Sequence, residues 1–363
     1  MSIVVSAVMV ASLVSFSTPE VAQAAPINTN SIAAVWDAYN KQYVANASVA
    51  ANWVGNEANC DAGSVSQKFI DAQIAIMNYY RGLAGLPGVT ENKTASAAAQ
   101  QTALLMDAND SISHYPATSW QCYTAEAGKV AAQSNLAATY NYLDLAALDM
   151  GFWMDDLGGS NAPVGHRRWI LYPKQLQVGI GNTDGANFRA GVMMLWGVFG
   201  MQGGSLTKDV GWPSAGYFPY ENLPTVSRRW SFSKAGTDFT NRTVTVTKNG
   251  ESVPVTIESS EVGYGDNAIV WLMPAQNAPT GGKVDVYNVT ISGVTSYDVK
   301  VFKASDPLAM TITDISVTQP QELRVGAVVN VTANGSWPAE AIVSYQWYRG
   351  SAAINGAVAN SYT

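Results

Sequence analysis

The spacing of apolar residues changes near Pro173, and this change limits the folds that are open to the chain. Before it, apolar side chains such as Phe69, Ile76 and Tyr80 recur at the spacing of an amphipathic helix. After it, short apolar runs alternate with glycine-containing turns, as in strands joined by hairpins. A helix-rich half followed by a strand-only half predicts an α+β chain with more than one domain.

The helix-rich half is predicted to contain four helices and a pair of strands. The sequence Ser-Val-Ser-Gln at 64–67 is a capping box that opens the first helix, and Gly82 closes it. Thr94 is predicted to cap the second helix, which ends near Asn109. The remaining elements are expected to be helices at 124–136 and 139–156, then strands at 177–182 and 190–196.

The strand-only half is predicted to form a β-sandwich and then part of a second β domain. Asn249-Gly250 is a strong signal for a two-residue hairpin turn. Trp347 lies where the core tryptophan of an immunoglobulin-like domain would lie. Residues 307–363 are too few for the roughly seven strands of such a domain, so the chain is expected to be part of a longer protein.

These patterns predict an order of segments along the chain. A lead-in with a short helix is expected to be loosely packed, and a connector rich in proline, glycine and aromatic residues separates the two halves. The predicted segments are a signal peptide at 1–25, the lead-in at 26–59, an α/β domain at 60–203, the connector at 204–226, a β-sandwich at 227–304 and a partial immunoglobulin-like domain at 307–363.

The first residues predict export from the cell. The apolar run at 3–16 is too short to span a bilayer, and Ala22-Gln23-Ala24 is an A-x-A cleavage signature. The alternative is a buried N-terminal helix. No other stretch reaches transmembrane length, so the mature protein is expected to be secreted or associated with the cell wall.

The chain has two cysteines, Cys60 and Cys122, and an oxidising compartment would allow them to form a disulfide. A disulfide between them would close a loop of about 62 residues and stabilise the folded chain by about 4 kcal/mol in the chain-entropy model. The alternative is two free, buried thiols.

The charge of the chain argues against one class of partner. The formal net charge is −7, and the longest runs of basic residues are the pairs Arg167-Arg168 and Arg228-Arg229. Binding to nucleic acid through charge needs a basic surface. No nucleic-acid partner is therefore expected.

Four residues of the α/β domain are candidates for chemistry. His114 and His166 are the only histidines of the sequence, and Glu126 and Asp156 lie between them near predicted helix ends. Imidazoles and carboxylates together can hold a divalent metal or position a water molecule between an acid and a base. The alternative is that local hydrogen bonds satisfy each histidine and the group is structural.

An ordered series of motifs resembles the CAP superfamily, which includes cysteine-rich secretory proteins, insect antigen 5, plant pathogenesis-related proteins and bacterial SCP-like proteins. Asn-Tyr-Tyr-Arg at 78–81 resembles the Asn-x-x-Arg of its first helix, and residues 99–114 resemble its second helix with the first histidine. Trp-Met-Asp-Asp at 153–156 resembles its Trp-x-x-acid motif. The block at 165–173, which begins with Gly-His, is most similar to bacterial extracellular members.

The resemblance covers about residues 60–200 and implies a three-layer α-β-α sandwich with a cleft. The cleft residues of the family map here onto His114, Glu126, Asp156 and His166. Asp155 is the alternative second acid if the fourth helix ends early. His114 and His166 would be the metal ligands, and nitrogen ligands favour zinc over calcium.

Two departures from the family pattern affect the acids. Ala125-Glu126-Ala127 stands where eukaryotic members have Gly-Glu-Asn, so Glu126 is assigned mainly by its order in the sequence. The second acid is Asp rather than Glu, which is one methylene shorter.

Three functions from different classes fit these observations. The first, implied by the resemblance, is a surface module whose cleft binds a divalent metal, and with it a small ligand, lipid or peptide, while β domains project it towards host or cell-wall components. The second is a metal-dependent extracellular hydrolase, a peptidase or nuclease. The third is an adhesin or scaffold that acts through immunoglobulin-like domains. The sequence leaves open whether the cleft is catalytic.

Two further groups of residues have a functional and a structural interpretation. Arg167 and Arg168 would either grip an anionic ligand or form ion pairs with Asp155 or Asp156. The aromatic residues of the connector, Trp212, Tyr217, Phe218 and Tyr220, would either stack on a sugar or pack the connector against the α/β domain.

Overall fold

The computed structural model describes residues 25–140, 145–185, 188–197, 201–306, 311–318, 320, 326–336, 345–349 and 351–363. The predicted signal peptide, apart from Ala25, lies outside these residues. In the part of the chain that is described, no helix has the length and apolar character needed to cross a membrane.

The first domain contains six helices among the described residues. Ser66 opens the longest of them, because its Oγ accepts a hydrogen bond from the Phe69 N–H at 3.2 Å. The helices are α1 (Ile32–Ala38), α2 (Gln67–Leu83), α3 (Lys93–Asp107), α4 (Ala125–Ala131), α5 (Ala146–Asp155) and α6 (Gly165–Ile170), with a π-helical turn at Tyr39–Val44 and short helical turns at Ala45–Ala47, Glu57–Asn59 and Gly159–Asn161.

A four-stranded sheet lies between these helices. The strands of the domain are β1 (Val54–Asn56), β2 (Asp61–Ser64), β3 (Thr90–Glu91), β4 (Ser134–Tyr140), β5 (Gln177–Asn182) and β6 (Phe188–Met194). The sheet order is β3-β5-β6-β4, with β3 parallel to β5 and the other pairs antiparallel, while β1 and β2 form a separate hairpin.

Successive residues of β6 face two different hydrophobic cores. Met193 packs with α2 and α5, whereas Val192 and Met194 pack with α3 and α4. Since side chains of a strand alternate between faces, the sheet is covered by helices on both sides. The predicted α-β-α arrangement of layers is therefore present in this part of the chain.

Helix α3 packs directly on β5 at two glycines. A Cβ at Gly179 would lie 2.4 Å from the Ala95 carbonyl carbon, and one at Gly181 would lie 2.2 Å from the Gln100 nitrogen. Only glycine allows so close an approach of helix and strand. This pair of glycines thus serves packing.

Three local predictions for the α/β domain were wrong. Residues 134–140 form β4 rather than helix, because Leu136 and Ala137 face opposite cores and the strand is apolar on both sides. Such a run cannot be distinguished from a buried helix by periodicity. Residues 165–170 form α6, where no helix was predicted, and Asn92, not Thr94, caps α3 by accepting from the Ala95 N–H at 3.0 Å.

The predicted lead-in is packed rather than loose. Val35 is fully buried and Tyr39 nearly so, and Tyr39 lies 6.4 Å from the ring of Tyr79 on α2. The Ile27 N–H donates to the Gly82 carbonyl at 3.0 Å. Residues from Ile27 onwards therefore belong to the core of the first domain.

Cys60 and Cys122 form the disulfide that the sequence predicted, with a Cα–Cα distance of 5.2 Å. The bridge joins the short turn Glu57–Asn59 to the segment before α4. The Gln121 Nε2 also donates to the Glu57 carbonyl at 3.0 Å, so the two segments are held by more than the sulfur atoms.

The carboxyl group of Asp107, at the end of α3, lies beneath this bridged region and is buried. Burial, together with the nearby charge of Glu57, raises the pKa of Asp107 to about 7. An unfolded aspartate has a pKa of about 3.9. The folded chain therefore binds more protons than the unfolded chain between about pH 4 and 7, and its free energy of unfolding falls as the pH rises through that window.

The variant Asp107→Asn should remove this part of the pH dependence, because a carboxamide needs no proton to stay neutral. We expect the variant to gain stability relative to the natural chain on going from pH 4.5 to 7.5, measured by urea denaturation. Exposed Asp37→Asn is the matched control and should leave the profile unchanged. Identical pH profiles for the natural chain and Asp107→Asn would disprove the prediction.

The second domain is a β-sandwich of two sheets. One sheet has the order β11-β10-β14-β15-β8 and the other β12-β13-β9-β7. The strands are β7 (Val210–Trp212), β8 (Gly216–Pro219), β9 (Arg229–Ser233), β10 (Val244–Lys248), β11 (Glu251–Val253), β12 (Thr256–Glu261), β13 (Ala268–Leu272), β14 (Asp285–Ile291) and β15 (Thr295–Phe302), with a helical turn at Tyr220–Asn222. Asn249-Gly250 is the turn of the β10–β11 hairpin, as predicted.

The predicted connector contributes a strand to each of these sheets. β7 pairs antiparallel with β9, and β8 pairs parallel with β15. Trp212 and Phe218 are fully buried, and the Trp212 ring meets Tyr80 of α2 edge-on at 5.6 Å. The aromatic residues of this segment thus pack the two domains together, and one hydrophobic core runs through both.

The C-terminal residues contribute five further strands to the described chain. β16 (Thr311–Thr318), β17 (Val329–Ser336) and β20 (Ser361–Tyr362) form one sheet, and β18 (Tyr348–Arg349) and β19 (Ala352–Ala353) form a hairpin. Trp347 is half-buried and stacks on Tyr362 with ring centroids 5.5 Å apart. An immunoglobulin-like domain remains a prediction.

Candidate functional site

Both histidines line one cavity at the surface of the first domain. This histidine cavity has a volume of about 380 Å³, and His114 and His166 lie in its wall together with Ser160 and Asn161. Its apolar side includes Leu136, Phe152 and Leu157, among other residues. The folded chain therefore brings its two histidines to one solvent-reachable space.

Asp156 holds the ring of His166. The Asp156 Oδ1 lies 2.7 Å from the His166 Nδ1, and the Oδ2 accepts from the Arg167 N–H at 3.2 Å. The carboxylate is fully buried, whereas the His166 side chain is 22% exposed. Because a carboxylate accepts, the His166 Nδ1 carries the hydrogen and the Nε2 atom is left for the cavity.

The backbone around this pair has an unusual conformation. Asp156 follows α5 with a φ of 58°, and Val164 precedes α6 with a φ of 48°. A β-branched residue rarely adopts a left-handed conformation, and such strain is common at functional sites. The Asn135 Nδ2 also donates to the His166 carbonyl at 3.1 Å, which fixes the main chain of the histidine.

His114 is held in the same way by a different acceptor. It lies in the segment after α3, and its Nδ1 is 2.8 Å from the Ala131 carbonyl oxygen at the end of α4. The carbonyl can only accept, so Nδ1 donates and Nε2 is again left over. The two histidines thus have the same tautomer when neutral.

Glu126 does not join the histidines. It is exposed in the first turn of α4, where a negative charge is favoured by the helix dipole. Glu126 is absent from the described residues that line the histidine cavity. The predicted order of motifs placed it in the cleft, but the helix points this position towards solvent.

Asp155 does not substitute for Asp156. Its carboxylate accepts from the Ser227 N–H at 2.8 Å and the Val226 N–H at 3.2 Å. The Asp155 side chain therefore faces the segment before β9 of the second domain. Of the two neighbouring acids, Asp156 is the one that contacts a histidine.

The donor atoms at the site limit the metals that it fits. In the described part of the chain, no group of three or more His, Cys, Asp and Glu residues is arranged to hold a metal ion. Both oxygens of Asp156 are engaged, one with the His166 Nδ1 and one with the Arg167 N–H, so this acid orients the His166 ring. The described residues offer two imidazole side chains at this cavity and do not form a closed structural zinc site.

The Asn-x-x-Arg motif of α2 contains an arginine that holds the end of α6, the helix that carries His166. Arg81 is fully buried, and it donates to the carbonyls of Ile170 and Tyr172 at 2.8 and 2.9 Å. Burial lowers the pKa of Arg81 to about 9. Asn78 bonds the main chain of Val89 in both directions, through its Nδ2 and its Oδ1. The contacts of Arg81 thus fix the end of α6, and those of Asn78 fix the chain before β3.

Arg167 and Arg168 join the two domains and do not grip an anion. Both are buried, and burial lowers the pKa of each to about 10. Arg167 donates to the Arg229 carbonyl at 2.8 Å, and Arg168 donates to the Asp266 carbonyl at 2.8 Å. The ion pairs that the sequence suggested are largely replaced by hydrogen bonds to main-chain oxygens.

An arginine of the second domain also contacts the main chain of the first domain beside the histidine cavity. Arg229 on β9 donates to the carbonyls of Asp156 and Gly158 at 2.6 and 2.8 Å. Glu258 holds the same guanidinium at 2.7 and 3.0 Å. The main chain of Asp156 is therefore positioned by the β-sandwich as well as by its own domain.

A second, aromatic cavity adjoins the first. It has a volume of about 220 Å³ and shares His114, His166, Ser160 and Asn161 with the histidine cavity. Its aromatic residues are Trp169, Trp196 and Tyr264. None of the three was predicted to line a cavity from the sequence, and Tyr264 comes from the loop between β12 and β13 of the other domain.

Comparison with known proteins identifies the first domain. Residues 74–198 match the family model described as "CAP: Cysteine-rich secretory protein family". The chain therefore contains a CAP domain, and the match includes both histidines, Glu126 and Asp156. No curated protein matches the chain.

Proposed function

We propose that the chain is an exported CAP-domain protein whose histidine cavity binds a divalent metal ion, zinc in preference to calcium, and with it a small ligand. The observation that carries this proposal is the common arrangement of His114 and His166. Each ring donates from Nδ1 to a fixed acceptor and has its Nε2 atom left over at the same cavity. Ligating histidines in metal sites have this arrangement.

Asp156 and Ala131 have the role of orienting groups in this proposal. Each fixes one imidazole ring and its tautomer through Nδ1. A zinc ion held by two nitrogens keeps open coordination positions, which a carboxylate, phosphate or water oxygen of a ligand can fill. The apolar side of the cavity, with Leu136 and Phe152, suits the uncharged part of such a ligand.

Export is supported by two features of the chain. A disulfide such as Cys60–Cys122 persists in oxidising compartments and is rare in the cytosol. The A-x-A signature after an apolar run is typical of a cleaved signal peptide. The β domains that follow would then project the CAP domain from the cell surface or the cell wall.

The proposal predicts that His114→Ala/His166→Ala will lose zinc binding. We expect calorimetric titration with zinc, on tag-free protein, to give one site in the natural chain and at least a tenfold weaker one in the double variant. Asp156→Asn should weaken zinc by about 10–100-fold, as is usual when an orienting partner is removed.

Glu126→Ala is the matched control for this titration, because Glu126 is acidic but lies outside the cavity. It should bind zinc as the natural chain does. Equal zinc affinity in the natural chain and in the double histidine variant would overturn the proposal.

A second candidate function is hydrolysis of a peptide or a nucleic acid. The contact that favours it is the 2.7 Å hydrogen bond between buried Asp156 and His166, because an acid that orients an imidazole is the arrangement of a general base. The His166 Nε2 atom would take a proton from water in the cavity. Cleavage of casein or of single-stranded nucleic acid that falls at least 100-fold in Asp156→Asn would favour this candidate.

A further inference from the structure

The aromatic cavity has a wall of two stacked indoles. The rings of Trp169 and Trp196 are 4.5 Å apart at an angle of 27°, and each residue is half-buried, so part of the pair remains exposed. The face of an aromatic ring carries partial negative charge. The C–H groups on one face of a sugar ring carry partial positive charge, and they complement such a surface.

Small polar side chains lie beside the indoles. Ser134, Asn135, Ser160 and Asn161 supply hydroxyl and carboxamide groups, which both donate and accept. The Ser134 Oγ donates to the Val130 carbonyl at 2.8 Å, and Asn135 is held by the His166 carbonyl. Polar groups that are fixed in this way give a pocket its specificity, and they match the hydroxyl groups of a sugar.

The charges at the cavity favour a neutral ligand. Among the described residues that line it, none is Asp, Glu, Lys or Arg. The nearest guanidinium, that of Arg168, lies behind the Tyr264 ring at 5.7 Å and donates to the carbonyls of Pro163, Glu261 and Asp266. An anionic ligand would therefore find no lysine or arginine side chain available here.

The size of the cavity suits one ring. Its volume of about 220 Å³ lies below the roughly 300–1,000 Å³ of pockets for drug-sized molecules. The histidine cavity of about 380 Å³ continues from it past His114 and His166. A chain of linked rings can thus place one ring against the indoles and extend along the histidines.

Tyr264 completes the wall and is held in place before a ligand arrives. Arg168 donates to the carbonyls of Glu261 and Asp266, which lie on both sides of the loop that carries Tyr264. The Tyr264 ring also packs above Gly165, where a Cβ would be 3.5 Å away. A wall that is already ordered reduces the entropy lost on binding.

We infer that the aromatic cavity is a subsite for one ring of a neutral saccharide, formed jointly by the CAP domain and the β-sandwich. The exposed part of the Trp169–Trp196 stack contacts the ring, Tyr264 closes its outer side, and the serine and asparagine side chains bind its hydroxyl groups. The inference rests on the cavity of the proposed function and does not depend on its metal.

The test is calorimetric titration of the full chain, in EDTA, with two neutral probes, an N-acetylglucosamine trimer and a cellotriose. We expect at least one to bind, and Tyr264→Ala to weaken that binding at least tenfold. Tyr264→Phe keeps the ring and should stay within twofold of the natural chain. Tyr264 is 48% exposed on a loop, so these variants should keep the fold, which circular dichroism checks.

Tyr115→Ala is the matched control, because Tyr115 is 86% exposed and follows His114 without lining either cavity. Binding of neither saccharide, or binding that Tyr264→Ala leaves unchanged, would overturn the inference. So would binding of a fatty acid or an aromatic peptide in place of both sugars. Zinc titration of Tyr264→Ala distinguishes the two proposals. If the chain does not bind zinc, the saccharide result still holds because it is measured in EDTA. If the chain does not bind a saccharide, the zinc result still holds.

Discussion

Replacing Arg189 with methionine should lower the free energy of unfolding by about 3–5 kcal/mol. The Arg189 Nη2 lies 2.6 Å from the Asp149 Oδ1, and both side chains are almost completely buried, at 1% and 0% exposure. Without the guanidinium, the carboxyl group of Asp149 would lose its ion-pair partner in the interior. Because Asp149 belongs to α5, the variant should weaken the attachment of that helix to the sheet.

Urea denaturation of the full chain measures this loss. The double variant Asp149→Asn/Arg189→Met should recover a large part of it, because the unpaired carboxyl group is then gone while the Asn182 Nδ2, 2.7 Å from Asp149, keeps an acceptor. Exposed Arg228→Met is the control for loss of an arginine and should change stability by less than about 0.5 kcal/mol. A loss below 1 kcal/mol in Arg189→Met would contradict the prediction.

Arg167→Met is expected to have a comparable effect on stability and a second effect on the site. The guanidinium donates to the carbonyls of Met154 and Asp155 in the first domain, and to the Arg229 carbonyl and the Ser231 Oγ in the second. Each acceptor left without a partner costs about 1–3 kcal/mol. We expect a total loss of about 3 kcal/mol or more, with part of it offset by local movement.

The effect on the site follows from the position of Arg167, which is next to His166 on α6. A shift of α6 would lengthen the contact between His166 and Asp156, so zinc affinity should fall with stability. Arg167→Lys keeps the charge but loses the forked geometry, and should be intermediate. Arg228→Met should leave both measurements unchanged, and a stable Arg167→Met with natural zinc affinity would refute the argument.

The sequence predicted the histidine cavity through the order of its motifs. His114 and His166 each follow a predicted helix, and both line the cavity. Asp156 ends α5, and a residue at the end of a helix adjoins the loop that leads to the next element. The Asn-x-x-Arg motif indicated the fold because Asn78 and Arg81 form hydrogen bonds with main-chain atoms of other segments.

The sequence could not predict which acids face the cavity. Glu126 and Asp155 carry the same carboxyl group as Asp156. They differ from Asp156 in the direction in which the helix points the side chain. Asp156 adopts a left-handed conformation that turns its carboxylate under His166, whereas Asp155 points towards Ser227. A sequence pattern does not locate a helix end to within one residue, so it cannot say which of two neighbouring acids faces the cavity.

The contribution of the second domain was also beyond sequence reasoning. Tyr264 is about a hundred residues from His166 in the sequence, and nothing in its own neighbourhood indicates that it lines a cavity of the first domain. The strand β4 was missed for a related reason, since its apolar character on both faces depends on helices that pack from two sides.

The reciprocal contacts of Arg167, Arg168 and Arg229 have a practical consequence for anyone who makes this protein in pieces. A recombinant fragment cut at position 203 would lack Tyr264, one wall of the aromatic cavity, and would expose the face of Tyr80 that packs on Trp212, so it should be misleading in binding assays. A fragment for binding assays should therefore keep the strands of the β-sandwich through β15, together with the contacts of Ser305 and Asp306.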